Sequence, residues 1–166
     1  MRLTLLRHAK TEPGRSGQDD WDRELEAKGK RDAPEMARRL KEEYSVPTLI
    51  VASPAIRAIG TARMFAKEFR IAESAIIRDE RLYLASPKVM LEVVQASGGS
   101  AEHLLIVGHN PGISEFGDRL SAERSLDNMP TCSLYTLEFD IQNWNEISWG
   151  SGANAELIYP GSASYP

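Results

Sequence analysis

The sequence predicts an α/β protein with three layers, in which a mostly parallel sheet lies between helices and carries an antiparallel edge. Three observations support this prediction. Short apolar runs rich in Leu, Ile and Val alternate with longer segments of helical periodicity. Serine or asparagine precedes proline where three of the helical segments begin. After Met129, polar and apolar residues alternate, as is typical of antiparallel strands.

The parallel strands and the helices can be placed in order along the chain. Strands are expected at residues 3–6, 48–52, 75–77 and 104–107, and helices at residues 27–43, 55–69 and 88–96. The side chains of Ser53, Ser86 and Asn110, each followed by proline, are expected to cap helices by accepting a free helix N–H.

The antiparallel edge is predicted as a hairpin-like pair. Its first strand covers residues 134–139, a turn covers residues 140–143, and Trp144, Ile147 and Trp149 belong to the second strand. Residues 1–160 are expected to form a single domain, and residues 161–166, which are rich in Gly and Ser, a flexible tail.

Composition excludes several classes of protein. Twenty basic and 24 acidic residues give a net charge of −4, which argues against a general nucleic-acid binder. No apolar run approaches the ~18 residues of a membrane span, and the first residues do not resemble a signal peptide. The single cysteine, Cys132, cannot form an intrachain disulfide, which is typical of a reducing compartment. We therefore expect a cytoplasmic protein that binds neither membrane nor nucleic acid.

Two of the three histidines stand directly after predicted buried strands. His8 follows residues 3–6, with Arg7 beside it, and His109 follows residues 104–107. Ligands bind at the carboxyl ends of parallel strands, so both rings are expected in one pocket. Arg57 lies in the first turn of the helix predicted at residues 55–69, which follows the strand at residues 48–52. Its side chain can therefore reach the same pocket. Together these residues predict a site for a dianion such as phosphate. His103 precedes a strand, at the wrong end of the sheet, and is expected on the surface.

Other phosphate chemistries lack their residues. A cysteine phosphatase needs arginine six positions after its nucleophile, where Cys132 has Glu138. No aspartate follows the first strand, and no glycine-rich loop ends in Lys-Ser or Lys-Thr. No His, Cys or Asp cluster has the spacing of a metal site. We therefore expect neither a metal nor a cofactor, and Cys132 is predicted to be a small buried residue.

Three blocks of sequence resemble the histidine phosphatase superfamily, which has the phosphoglycerate-mutase-like fold. They are Arg7-His8-Ala9, residues 53–62, and Gly108-His109. The short length, the stretch from Asp20 to Gly29, and residues 131–134 are similar to the small SixA-type phosphohistidine phosphatases. The resemblance covers residues 1–139.

The resemblance implies a reaction and a role for each matching residue. His8 would attack phosphorus and carry the phosphoryl group, while Arg7, Arg57 and His109 hold its oxygens. Arg23, within the SixA-like stretch, is a further candidate for substrate binding. Water would then hydrolyse the phosphohistidine without a metal ion.

The sequence departs from the larger members of the superfamily at two places. Those members have asparagine six residues after the nucleophile, where this chain has Gly14, and a glutamate as proton donor after the third strand. Glu80 is the candidate acid here, with Asp79 as an alternative. A salt bridge between Glu80 and a neighbouring arginine fits the sequence equally well.

Three functions remain open from the sequence. The first is a phosphatase that removes phosphate from phosphohistidine on a protein, such as a phosphorelay domain. The second is a phosphomonoesterase for small phosphorylated molecules. The third is a catalytically idle module that binds phosphoproteins, although such a module has no need for an intact nucleophile.

Overall fold

A mixed sheet of six strands with helices on both faces is formed by residues 1–163, which the computed structural model describes. The strands are β1 (Arg2–Arg7), β2 (Leu49–Ala52), β3 (Ile77–Arg78), β4 (His103–Gly108), β5 (Leu134–Glu138) and β6 (Ala153–Ile158), and the helices are α1 (Ala27–Glu43), α2 (Ile56–Phe69), α3 (Pro87–Ser97) and α4 (Gly112–Leu120). Within this part of the chain, no helix is both long enough and apolar enough to cross a membrane.

The strand order is β3-β2-β4-β1-β5-β6. β1 to β4 pair in parallel, whereas β5 and β6 are antiparallel to their neighbours. Two apolar clusters lie on opposite faces of the sheet, one under α1 and α2 and the other under α3 and α4. β1 contributes Leu6 to the first cluster, and Leu3 and Leu5 to the second. The three-layer α/β prediction with an antiparallel edge is therefore confirmed.

The predicted second strand of the hairpin is wrong. Residues 144–146 form a single 3₁₀ turn, and the strand that pairs with β5 is β6, nine residues further along the chain than Trp144. Trp144 is fully buried and its indole Nε1–H donates to the carbonyl oxygen of Ala101 at 2.7 Å. The aromatic side chain therefore fills the core beside α3 instead of alternating along a strand.

Two of the three predicted caps are also wrong. Ser86 caps α3 as expected, but α2 and α4 have no side-chain cap. The hydroxyl of Ser53 instead contacts the ring of His109, and the amide of Asn110 bonds Asn128 and the main chain of Met129. Both side chains are committed to contacts between elements at the carboxyl ends of the strands.

His103 is buried, so the prediction of a surface position is wrong. It is 2% exposed, with Nε2 at 2.8 Å from the Thr4 hydroxyl and Nδ1 at 3.0 Å from the Ser45 hydroxyl. Because β4 begins at His103 and not after it, the side chain lies on a face of the sheet, where Thr4 joins it to Thr136 by hydrogen bonds. Burial lowers the pKa of His103 to about 4.

Part of the predicted tail contacts the domain. The guanidinium of Arg39 donates to the main-chain carbonyls of Ser162 and Ala163. Residues 164–166, the rest of the predicted flexible tail, lie outside the described residues.

Gly29, in the first turn of α1, allows that helix to touch the loop that follows β1. A Cβ at Gly29 would overlap the carbonyl oxygen of Lys10, two residues after His8. Gly60 in α2 has ordinary space, since a Cβ at this position would lie 3.5 Å from its nearest neighbour, a side-chain atom of Leu25. Of these two glycines, only Gly29 is therefore required by packing.

Gly29→Ala should lower the free energy of unfolding by about 1–3 kcal/mol, because the added methyl group overpacks a helix–loop contact. Gly60→Ala is the matched control and should be neutral or stabilise by up to about 1 kcal/mol, the helix propensity gain. Urea denaturation monitored by circular dichroism measures both. Equal effects of the two substitutions would contradict this packing of α1 on the loop after His8.

Candidate active site

The register of the parallel strands brings the site together. Arg7 pairs with Gly108 across β1 and β4, and Ala52 pairs with Val107 across β2 and β4. His8 and His109, which follow Arg7 and Gly108, therefore leave β1 and β4 at the same level, and Ser53 leaves β2 one residue lower, opposite Gly108. The two imidazole rings lie 5.3 Å apart. The structure thus places both histidines in one site at the carboxyl ends of the strands.

His8 has one ring nitrogen fixed by the main chain. Nδ1 lies 2.8 Å from the carbonyl oxygen of Ala9, which can only accept a hydrogen bond. Nδ1 therefore carries the proton, and Nε2 has a free lone pair. Burial, together with the charges of Arg57 and Arg7, lowers the pKa of His8 to about 4. The ring is neutral at pH 7, the form that a nucleophilic imidazole requires.

Arg57 is 3% exposed, although it lies in the first turn of α2. Thr61 connects this turn to the loop after His8, because its hydroxyl accepts from the Ala9 amide and donates to the Arg57 carbonyl. On the other side of His8, the Arg7 guanidinium donates to the Met129 carbonyl at 2.8 Å. Within residues 1–163, the buried Nε of Arg7 has no partner.

His109 is oriented by Ser53. The Ser53 hydroxyl accepts from the amide of Ala55 and lies 2.7 Å from Nε2 of His109. The hydroxyl can therefore donate to Nε2, which leaves the proton of His109 on Nδ1. That nitrogen is buried and has no partner within the described residues. Burial lowers the pKa of His109 to about 3, so the ring acts as a neutral donor.

Four further side chains, those of Asp20, Trp21, Arg23 and Tyr83, lie beside the histidines and Arg57. Arg23 and Arg57 both donate to the carboxylate of Asp20, and the hydroxyl of Tyr83 donates to the same group at 2.7 Å. The ring of Tyr83 packs edge-on against His109, with the ring centroids 5.5 Å apart. Trp21 also packs against Tyr83, with a centroid distance of 4.7 Å. The structure thus places Arg23 beside the cage formed by Arg7, His8, Arg57 and His109.

Sequence reasoning missed Asp20, Tyr83 and Thr61 as parts of this site. Asp20 is three residues before Arg23, and Tyr83 is three residues after Glu80, so both lie close to residues that the sequence does point to. Their polar atoms meet only because separate loops fold over the strand ends, and no spacing in the sequence reveals that contact.

Glu80 is exposed, in a 3₁₀ turn before Tyr83. Asp79 caps that turn and forms an ion pair with Arg81 at 2.7 Å, and the hydrogen bond from Arg81 lowers the pKa of Asp79. The arginine pairing considered for Glu80 is therefore made by its neighbour. Among residues 1–163, neither carboxylate has a hydrogen bond to the cage.

Cys132 is buried, as predicted, and its main-chain N–H donates to the carbonyls of Arg7 and His8 at 3.1 Å. Burial raises the pKa of its thiol, so the residue stays protonated. In the part of the chain that the structure describes, no group of three or more His, Cys, Asp or Glu side chains could hold a metal ion. The positive charge at the site is supplied by arginines.

Comparison with known proteins agrees with this arrangement. Residues 3–83 match the model of the histidine phosphatase superfamily (branch 1). Over these residues, the chain is similar to the histidine phosphatase superfamily. The match includes Arg7, His8, Arg57 and Tyr83, whereas His109 lies beyond it. The family resemblance read from the sequence is confirmed.

Solved structures show the same fold over nearly the whole chain. The protein histidine phosphatase SixA in complex with tungstate has a TM-score of 0.81 at 17% identity, with 96% of this chain and 97% of that chain covered. A protein from Agrobacterium tumefaciens assigned as a phosphohistidine phosphatase SixA has a TM-score of 0.79 at 25% identity, with 96% of this chain and 97% of that chain covered. A mycobacterial glucosyl-3-phosphoglycerate phosphatase has a TM-score of 0.66 at 20% identity, with 98% of this chain and 99% of that chain covered. Curated protein sequences gave no significant match.

The three buried histidines make stability depend on pH. Their pKa values are about 4, 4 and 3 in the folded protein for His8, His103 and His109, against about 6.5 when unfolded. The unfolded chain binds these protons first, so stability is present above pH 6.5 and is lost as the pH falls towards 4.

We predict that the free energy of unfolding decreases between pH 6.5 and pH 4, with each histidine contributing up to about 3 kcal/mol. Urea denaturation at a series of pH values measures this decrease. His103→Gln, which lies outside the site, should make the decrease smaller. A free energy that is constant between pH 6.5 and pH 4.5 would show that the histidines are protonated in the folded protein.

Proposed function

We propose that this protein is a metal-independent phosphatase that removes phosphate from phosphohistidine on another protein, with His8 as nucleophile. The observation that carries the proposal is the tautomer of His8, whose Nδ1 is bonded to the Ala9 carbonyl. Nε2 is consequently free to attack, in a cage that also contains Arg7, Arg57 and the Nδ1–H of His109. The match of residues 3–83 to the histidine phosphatase superfamily supports the reaction class.

In the first step, the lone pair on Nε2 of His8 forms a bond to phosphorus as the bond from phosphorus to the leaving nitrogen breaks. The guanidiniums of Arg7 and Arg57 and the Nδ1–H of His109 stabilise the charge that spreads over the phosphoryl oxygens. In the second step, water forms a new P–O bond, the P–N bond to His8 breaks, and one water proton is released. The products are inorganic phosphate and the free imidazole of the substrate.

The leaving group favours phosphohistidine as the substrate. An alkoxide is a poor leaving group and needs a proton from a positioned acid. Asp79 is paired with Arg81, and the exposed Glu80 has no hydrogen bond to the cage within the described residues. A phosphorylated imidazole can carry a proton on its other ring nitrogen and leave as neutral imidazole, because imidazole titrates near pH 6.5. Such a substrate depends little on an enzyme acid.

A protein substrate is supported by two exposed apolar residues that are neighbours in sequence of Arg57 and Tyr83. Ile56 precedes Arg57 and is 39% exposed, and Leu84 follows Tyr83 and is 56% exposed. Large exposed apolar side chains beside a site are suited to contact with another protein. The structural similarity to a protein histidine phosphatase agrees with this choice.

A small-molecule phosphomonoesterase is the second candidate. The specific observation that favours it is the structural similarity to a glucosyl-3-phosphoglycerate phosphatase. In that case Glu80, three residues before Tyr83, would move to donate a proton to an alkoxide. An idle phosphoprotein-binding module is less well supported, since the neutral His8 is prepared for attack.

Turnover of phosphohistidine and of a simple alkyl phosphate, by wild type and Glu80→Gln, separates the two enzymes. We expect faster turnover of phosphohistidine and little effect of the substitution on it. Loss of an obligatory acid would instead slow the reaction by about 10²–10⁴-fold. His8→Ala is the control for background hydrolysis. If both substrates are hydrolysed equally fast, and Glu80→Gln slows both, then the small-molecule function is correct.

A further inference from the structure

Asp20 joins donors from three separate parts of the chain. Its carboxylate accepts from Nη2 of Arg57 at 2.8 Å, from Nη1 of Arg23 at 3.2 Å and from the Tyr83 hydroxyl at 2.7 Å. Its main-chain carbonyl accepts from Nη1 of Arg57 at 2.6 Å. One residue in a short turn between β1 and α1 therefore touches two of the cations beside His8.

We propose that Asp20 is a positioning residue, which holds Arg57 and Arg23 in the orientation that binds the phosphoryl group of the substrate. Tyr83 fixes the carboxylate in turn. This inference rests on the proposed role of Arg57 as a phosphate ligand.

The burial of Arg57 explains why such a residue is needed. A guanidinium that is 3% exposed has lost most of its hydration, and without a counter-charge this is costly. Asp20 supplies that charge and fixes both terminal nitrogens. A guanidinium has five N–H donors, and Asp20 uses two of them. Three remain for an oxyanion, in a plane that Asp20 defines.

Arg23 is held in the same way. Nη1 pairs with Asp20, while Nη2 donates to the Thr11 hydroxyl at 2.6 Å and to the Glu12 carbonyl. Its buried Nε has no partner within residues 1–163. The two arginines share one carboxylate, so their separation is set before substrate binds. A preorganised pair of this kind needs little rearrangement in the transition state.

The hydrogen bond from Tyr83, together with those from Arg57 and Arg23, lowers the pKa of Asp20 to about 2. The carboxylate is therefore ionised throughout the range in which the enzyme can be assayed. Because the ring of Tyr83 also touches His109, the position of the carboxylate is tied to the opposite side of the cage.

The alternative role for Asp20 is competition, in which its carboxylate occupies Arg57 in place of phosphate. The two roles predict changes of opposite sign. Removal of a positioning residue weakens phosphate binding, whereas removal of a competitor strengthens it.

The test compares Asp20→Ala, Asp20→Asn and Tyr83→Phe with wild type. Binding of inorganic phosphate is measured by titration calorimetry, and kcat and KM are measured with p-nitrophenyl phosphate, whose leaving group needs no acid. By analogy with the residues that orient metal ligands, Asp20→Ala should weaken phosphate binding and lower kcat/KM by about 10–100-fold. Asp20→Asn keeps an acceptor but loses the charge, so it should lie between wild type and the alanine variant. Tyr83→Phe should also weaken phosphate binding and lower kcat/KM, but by less than Asp20→Ala.

Asp22→Ala is the matched control, because Asp22 is exposed in the same turn, and it should leave both quantities unchanged. Tighter phosphate binding by Asp20→Ala would overturn the proposal in favour of competition. Unchanged binding and kcat/KM in Asp20→Asn and Tyr83→Phe would overturn it as well, even if Asp20→Ala does not fold. His8→Ala in the same assay keeps the two hypotheses apart: turnover without His8 contradicts the proposed function, whereas phosphate binding still reports on Asp20.

Discussion

The parallel pairing of β1 with β4 is the constraint on which the site depends. Because Arg7 lies opposite Gly108, the next residue on each strand is a histidine at the same level of the sheet. The main-chain N–H of Cys132 holds the carbonyls of Arg7 and His8, and the loop after His8 packs on α1 at Gly29. A shift of this register by one residue would turn one histidine to the other face of the sheet and separate the rings.

Burial and nearby positive charge both lower the pKa values of His8 and His109. Removal from water lowers the pKa of His8 and of His109, and the nearby arginines add to this effect. Both rings are consequently neutral beside several guanidiniums, as the proposed roles of His8 as nucleophile and His109 as hydrogen-bond donor require. The same arginines attract a phosphoryl group. In the proposed reaction, the cations both keep His8 neutral and bind the phosphoryl group, and Asp20, which pairs with Arg57 and Arg23, reduces the repulsion between these two cations.

The parallel strands, most of the helices and the main site residues could be predicted because they depend on local signals. Apolar periodicity located α1 and β1 to within a residue or so, and strand ends pointed to His8 and His109. The contact between Asp20 and Tyr83 could not be predicted, since it depends on how separate loops fold over the strand ends. Trp144 was misplaced because an apolar residue at alternating spacing fits either a strand or a buried turn. His103 was misplaced because its partners, Thr4 and Ser45, lie far away in sequence.

The central claim is that phosphate passes through His8, and direct detection of the phosphoenzyme tests it. The protein is mixed with ³²P-labelled phosphohistidine substrate, quenched in alkali within the first turnover, and digested for mass spectrometry. The label should be on the peptide that contains His8, should be lost in acid, and should be absent from His8→Ala. Turnover with label on another residue, or acid-labile label retained by His8→Ala, would contradict the claim.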